Sequence, residues 1–76
     1  MKTLIEFILN HLVSHPEDVV VEETTDYSGS VYKITVNPDD MGRIIGRGGA
    51  VIKAIRRLVS VKAIKDGVRA QVVVEG

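Results

Sequence analysis

The chain has 76 residues, no cysteine, and ten basic against ten acidic residues, so its formal net charge is zero. This length suits one small domain whose core needs nearly every apolar residue, and without cysteine neither a disulfide nor a thiolate metal site can stabilise it. The balanced charge argues against a general polycation, and no apolar run is long enough to span a bilayer.

An amphipathic helix is predicted over residues 1–14, where apolar side chains recur at helical spacing until Pro16. This segment resembles a secretory signal only briefly, because Glu6, Asn10 and His11 interrupt it and no small-residue cleavage site follows. We therefore expect a cytoplasmic protein with no membrane partner. His11 and His15 are four residues apart, but two imidazoles without a nearby carboxylate or thiolate rarely hold a metal, so we predict no metal site.

A β-hairpin is predicted next. Residues 19–25 are rich in valine and threonine, and Tyr32, Ile34 and Val36 alternate with polar residues. Residues 26–29 between them have the composition of a turn. The two runs therefore predict antiparallel strands.

Two helices with a glycine-rich turn between them follow the hairpin. Asn37 can cap a short helix that begins at Pro38 and ends near Ile45, and the acidic residues at 39 and 40 suit the positive end of its dipole. After the turn, a longer helix is predicted up to residues 65–67, where a lysine and a glycine mark its C-terminus. Its apolar face consists of Ile52, Ile55, Val59 and Ala63.

A last strand is predicted from Val68, because Val68, Ala70, Val72 and Val74 alternate with polar residues. The resulting order of helix, strand, strand, helix, helix and strand predicts an α+β fold. In this fold a three-stranded sheet is packed on one face by three helices. We expect a single domain over residues 1–76.

The glycine-rich turn lies in the basic part of the chain. Residues 1–40 carry two basic and eight acidic residues, whereas residues 41–65 carry seven basic residues and no acidic one. Glycines let the backbone approach a ligand closely, and the amides at the start of the next helix favour an anion. Residues 44–53 therefore predict a phosphate-binding turn, and an ordinary connection between two helices is the alternative.

Gly46-Arg47-Gly48-Gly49 matches the GXXG loop of KH domains, and the order of elements matches their type II topology. The motif alone is common by chance, but the isoleucine flanks, the position between two helices and the chain length agree with it. The chain thus resembles a type II KH domain (αββααβ) over residues 1–76, with its GXXG loop at 46–49. It is most similar to small bacterial proteins that consist of one KH domain.

The resemblance implies binding of short single-stranded RNA, with the loop holding the backbone of about four nucleotides and the bases in an adjacent groove. Gly46 and Gly49 would form the turn, while Arg47 and the Gly48 amide would face phosphate. Basic residues from the neighbouring helices would flank the loop or reach the groove, namely Arg43, Lys53 and Arg56. The groove floor, or the core below it, would be formed by Ile44, Ile45 and Ile52.

Proteins of this kind are expected to form homodimers or to pair with a second KH protein, and to act as RNA chaperones or post-transcriptional regulators. The alternative is a protein-interaction or dimerisation module with weak or secondary RNA binding. We expect no cofactor and no enzymatic activity. Asp39 and Asp40 are adjacent and so point in different directions on a helix, which argues against a carboxylate pair for acid–base catalysis. The turn also lacks the Gly-Lys-Ser/Thr ending of a nucleotide-binding P-loop.

Overall fold

The computed structural model describes residues 1–75, and its elements follow the predicted order. The helices are α1 (Lys2–Asn10), α2 (Met41–Ile45) and α3 (Ala50–Asp66), and the strands are β1 (Val20–Asp26), β2 (Gly29–Thr35) and β3 (Ala70–Glu75). Short 3-10 turns lie at Pro16–Asp18, Pro38–Asp40 and Arg47–Gly49. The predicted α+β fold is confirmed. Within residues 1–75, none of the helices is long and apolar enough to cross a membrane.

The three strands form one sheet with β2 in the centre. β1 pairs antiparallel with β2, with Val21 opposite Ile34, and β3 pairs parallel with β2, with Val72 beside Tyr32. Side chains alternate between the faces of a strand, so these four residues share one face, and all four are buried. The helices pack on that face and leave β3 as an edge strand.

One apolar core joins the helices to the sheet. Ile5 and Leu9 of α1 and Ile44 of α2 are fully buried in it. α3 contributes the predicted apolar row, and the predicted end of α3 is also confirmed, since Gly67 follows it in the left-handed conformation. The buried residues of that row are Ile52, Ile55, Val59 and Ala63.

The first helix ends earlier than predicted, so the boundary at residue 14 is wrong. α1 stops at Asn10, and the next amides tighten into a turn in which the Leu12 amide donates to the Leu9 carbonyl at 2.9 Å. The amides of Ser14 and His15 then donate to the two carboxylate oxygens of Asp40, at 2.9 Å and 3.0 Å. In a longer helix these two amides would donate to carbonyls of the preceding turn, whereas here they donate to a carboxylate that is distant in sequence.

The last strand starts two residues later than predicted. Val68 lies at the end of α3, because its amide donates to the Ala63 carbonyl at 2.9 Å and is not available for the sheet. β3 begins at Ala70. Val68 therefore belongs to the end of α3 and not to the alternating residues of β3.

Candidate nucleic-acid interface

The glycine-rich loop of residues 46–49 joins α2 to α3. At Gly46 the backbone leaves the helical region, with φ 76° and ψ 172°, and the Gly46 amide donates to the Gly42 carbonyl at 2.8 Å. The Gly49 amide donates to the Gly46 carbonyl at 3.1 Å, which closes a new turn directly before α3. The loop is therefore a compact turn with a defined backbone course.

Two of the loop glycines have different surroundings. A Cβ atom on Gly46 would lie 2.5 Å from Cγ2 of Val51 and 2.8 Å from the Val51 amide nitrogen. A Cβ atom on Gly48, where φ is 62° and ψ is 19°, would meet no atom within 4 Å. Gly46 thus allows close packing on the first turn of α3, whereas Gly48 faces open space.

The turn directly before α3 offers hydrogen-bond donors to an anion. The first amides of a helical segment have no carbonyl partner within it, and the break at Gly46 puts the amides of Arg47 and Gly48 in that position. α3 adds the positive end of the dipole of a 17-residue helix, and its first turn contains no acidic residue. Phosphate oxygens are suitable acceptors for such a site.

Basic side chains lie around the loop without acidic partners. Within residues 1–75, no carboxylate lies within 4.0 Å of the charged groups of Arg43, Arg47, Lys53 or Arg56. Lys53 lies beside the loop, with its Cε 3.7 Å from the position of a Cβ on Gly49. The Arg43 guanidinium donates to Ser14 Oγ and so turns toward the segment after α1. Within residues 1–75, none of the four cations therefore has a carboxylate partner, and Arg43 alone of the four contacts Ser14.

The three isoleucines predicted as groove floor or core differ in exposure. Ile44 and Ile52 belong to the core, with 0% and 5% of their surface exposed, whereas Ile45 is only partly buried. Ile44 and Ile52 therefore belong to the core below the groove and not to its exposed floor. Ile45 retains surface that a ligand can contact.

A groove of about 360 Å³ lies between α3 and β3. Arg56, Val59 and Ser60 line its α3 side, and residues 70–73 line its β3 side. Arg56 Nε donates to the Val72 carbonyl across the groove at 3.3 Å. Lys53 precedes Arg56 by three residues and therefore lies on the same side of α3, which connects the groove to the glycine loop. The neighbouring Arg57 is exposed and is not part of the lining.

The family model of the KhpA/KhpB KH domain matches residues 2–74, which include α1 and almost all of β3. The chain belongs to the KhpA/KhpB family of KH domains.

Relatives of this KhpA/KhpB domain are named RNA-binding protein KhpA. The relative from Clostridium perfringens is 44% identical over 75 residues, which cover 99% of this chain and 97% of the relative. The one from Oceanobacillus iheyensis is 49% identical over 59 residues, 78% of this chain and 79% of the relative. The one from Thermotoga maritima is 47% identical over 60 residues, 79% of this chain and 80% of the relative. Among solved structures, no significant match was found.

One residue that organises this KhpA/KhpB domain has a different role from the predicted one. Asp40 was expected to act through the helix dipole, but it is buried, with 1% exposure, and binds the Ser14 and His15 amides. The bond from the Ser14 amide is the main cause that lowers the pKa of the Asp40 carboxyl. Asp40 therefore ties α2, and with it the loop, to the end of α1. Its contacts span more than twenty residues, so no local pattern indicates them.

The surroundings of His15 also differ from the expectation. The expectation of no metal site assumed that no carboxylate lies near the histidines, and this assumption is wrong. The ligand atoms of His15, Glu17 and Asp18 lie within 4.8 Å of one another at the surface. His11 is separate from this group, since its Nδ1 contacts the Phe7 carbonyl oxygen at 2.8 Å.

Proposed function

We propose that this KH domain binds short single-stranded RNA in the cytoplasm through the GXXG loop at 46–49 and the groove between α3 and β3. The observation that carries the proposal is the loop itself, with the Arg47 and Gly48 amides in the turn directly before α3 and cations without carboxylate partners beside them within residues 1–75. The relatives named RNA-binding protein KhpA favour the same function. The proposed activity is binding, not catalysis.

A single KH domain over residues 1–76 would contact about four nucleotides, so one copy should bind RNA with modest affinity. We therefore propose that the domain acts as a homodimer or with a KhpB-like KH protein, because a second RNA-binding site adds avidity. An RNA chaperone or post-transcriptional regulator is the role that fits such a binder.

The experiment that tests RNA binding compares the native chain with the double variant Arg47→Asp and Gly48→Asp, using a short single-stranded RNA at several salt concentrations. The native protein should lose affinity as salt rises, with a log–log slope of about −2 if three phosphates are contacted. The variant should bind about tenfold more weakly or worse, because two carboxylates would face the RNA phosphates. Aspartate tolerates the backbone conformation at position 48, and no atom there would clash with a Cβ.

A matched control is available at the other end of α3. The double variant Lys65→Asp and Gly67→Asp has the same formal change in charge, and Gly67 is also left-handed with no atom within 4 Å of a Cβ. This control should keep most of the native affinity, since it lies about 25 Å along the helix from the loop. Equal losses for the two folded variants, or native binding that salt does not weaken, would reject the loop as the phosphate site.

A second candidate function, a dimerisation module, is favoured by one surface. Leu58, Val61 and Ile64 lie on the outer side of α3 with 54%, 61% and 79% of their surface exposed. Neighbouring exposed apolar residues often mark an interface. The occupant we propose is a second copy of this chain, because a two-fold axis beside Val61 would set Leu58 against Ile64 of the other copy.

Changing Val61→Asp should convert such a dimer into monomers, because two carboxylates would meet at the symmetry axis. Sedimentation equilibrium measures the effect across a range of protein concentrations. Val20→Asp is the control, since Val20 is 48% exposed on a strand and should leave association unchanged. A native chain that stays monomeric at all concentrations would reject this interface.

A further inference from the structure

The sheet has a second edge at β1, which lies on the side of β2 opposite to β3. The amides of Ser30 and Val36 donate to carbonyls on the β3 side, so the even-numbered backbone groups of β2 face β3. Backbone groups of successive strand residues alternate in direction, so the odd-numbered residues of β2 bond to β1. Their partners in β1 are Val20, Glu22 and Thr24. The residues between these partners therefore turn their amides and carbonyls away from the sheet.

The outward backbone groups of β1 belong to Val21, Glu23 and Thr25. Within residues 1–75, none of their amides or carbonyls forms a hydrogen bond outside the sheet. Residues 22–26 are exposed, so neither a helix nor a loop covers this edge there. A row of free backbone donors and acceptors of this kind can pair with an additional strand.

The charge at this edge is negative. Residues 17–26 contain five acidic residues and no basic one. Three of these acids lie on β1, and within residues 1–75 no basic group lies within 4.0 Å of their carboxylates. Val21 is buried under the helices, so Glu23 shares its face of the sheet and Glu22 lies on the opposite, open face. An added strand would therefore meet negative charge on both of its faces.

We propose that β1 binds an extended, lysine- or arginine-rich segment of a partner protein, which joins the sheet as a fourth strand. Backbone hydrogen bonds to the outward groups of β1 hold the segment, and its cations meet the carboxylates on both faces. A second copy of this chain does not suit the same edge, because its β1 would bring equal negative charge against the first. RNA phosphates are repelled for the same reason.

This inference goes beyond the proposed function and does not depend on it. β2 separates the edge of β1 from the groove beside β3. RNA binding by the groove and strand addition at β1 therefore stand or fall separately.

The test uses the full chain and a short synthetic peptide in which lysine and threonine alternate. Without peptide, amide hydrogen exchange followed by NMR should be slow at Glu22 and Thr24, which bond to β2, and fast at Glu23 and Thr25. Peptide at about ten times its dissociation constant should slow exchange at Glu23 and Thr25 by about tenfold. Added salt should weaken the binding.

Two changes separate strand addition from simple attraction between charges. The same peptide with N-methylated amides keeps its charge but cannot donate to β1, so it should bind about tenfold more weakly. Thr25→Pro removes one outward amide and leaves the bonds between β1 and β2, so it should weaken binding by about fivefold. Thr25→Val keeps this amide and the β-branched shape, and it should bind the peptide as the native chain does.

Glu22→Lys tests the charge without changing the backbone. It should weaken binding of the lysine peptide by about fivefold, whereas Asp66→Lys, the same change of charge on α3, should weaken it by less than about twofold. Equal losses for the two folded variants would overturn the inference, as would equal binding of the N-methylated peptide, unchanged exchange at Glu23 and Thr25 with peptide bound, or no binding by the native chain. Protection of these amides that rises with protein concentration alone would assign the edge to a second copy and overturn the proposed occupant.

Discussion

Replacing Gly46 by alanine should lower the free energy of unfolding by about 3 kcal/mol and abolish RNA binding. The backbone at Gly46 has φ 76° and ψ 172°, a region that is almost restricted to glycine and costs other residues about 1–3 kcal/mol. The new Cβ would also lie 2.5 Å from Cγ2 of Val51 and 2.8 Å from the Val51 amide nitrogen. The contact with a backbone atom cannot be relieved by a rotamer change, so α2 and α3 would have to move apart.

Gly48→Ala is the matched control for this prediction, since it lies in the same loop and makes the same chemical change. Its left-handed backbone costs a non-glycine residue about 1–2 kcal/mol, and a Cβ there meets no atom within 4 Å. Urea unfolding followed by circular dichroism measures both variants. Equal losses of stability at the two positions would mean that packing against Val51 does not constrain the loop.

The parts of the fold that the sequence predicted are those that depend on local interactions. The apolar row of α3 and the left-handed Gly67 at its end follow from helical periodicity and from the conformational freedom of glycine. The hairpin follows in the same way from a run rich in valine and threonine and an alternating run, with a short turn between them. Each of these signals is contained within a short continuous stretch, residues 52–67 for α3 and residues 19–36 for the hairpin, so no knowledge of the rest of the chain was needed.

The parts that were missed depend on contacts between distant residues. α1 ends at Asn10 because Asp40 binds amides beyond it, and a helix propensity cannot include an acceptor that is remote in sequence. The same reason applies to the groove. Arg56 was predicted to flank the loop or reach the groove, but its contact with the Val72 carbonyl depends on how α3 packs on β3.

The candidate site was only partly predictable for a related reason. The glycine loop and its cations are adjacent in sequence, so their association did not require a structure. The exposure of the isoleucines did require one, because Ile44 and Ile45 are neighbours on a five-residue helix and differ in burial. Periodicity over such a short helix does not fix its orientation on the core.

Asp40→Ala should lower the melting temperature at neutral pH by about 10 °C or more. The substitution removes the acceptor of the Ser14 and His15 amides, and hydrogen bonds to a charged acceptor are among the stronger ones in a small domain. It also frees α2 from the end of α1, so RNA affinity should fall together with stability. Asp39→Ala is the control, because the Asp39 side chain is 83% exposed and should change the melting temperature by no more than about 2 °C.

The pH dependence of this difference tests the charged state of Asp40. The Ser14 amide, with the His15 amide, holds the pKa of the Asp40 carboxyl in the folded protein below its usual value. Such a carboxyl contributes its full stabilisation of the folded state at pH values above its pKa in the unfolded chain, which is about 3.9. This stabilisation is lost as the pH falls through the lower pKa of the folded state. Melting temperatures of the native chain and Asp40→Ala should therefore differ by a constant amount from neutral pH down to about pH 5 and converge in more acidic solution. A difference that stays constant throughout the acidic range would show that the Asp40 side chain stabilises the fold by packing and not as a carboxylate acceptor.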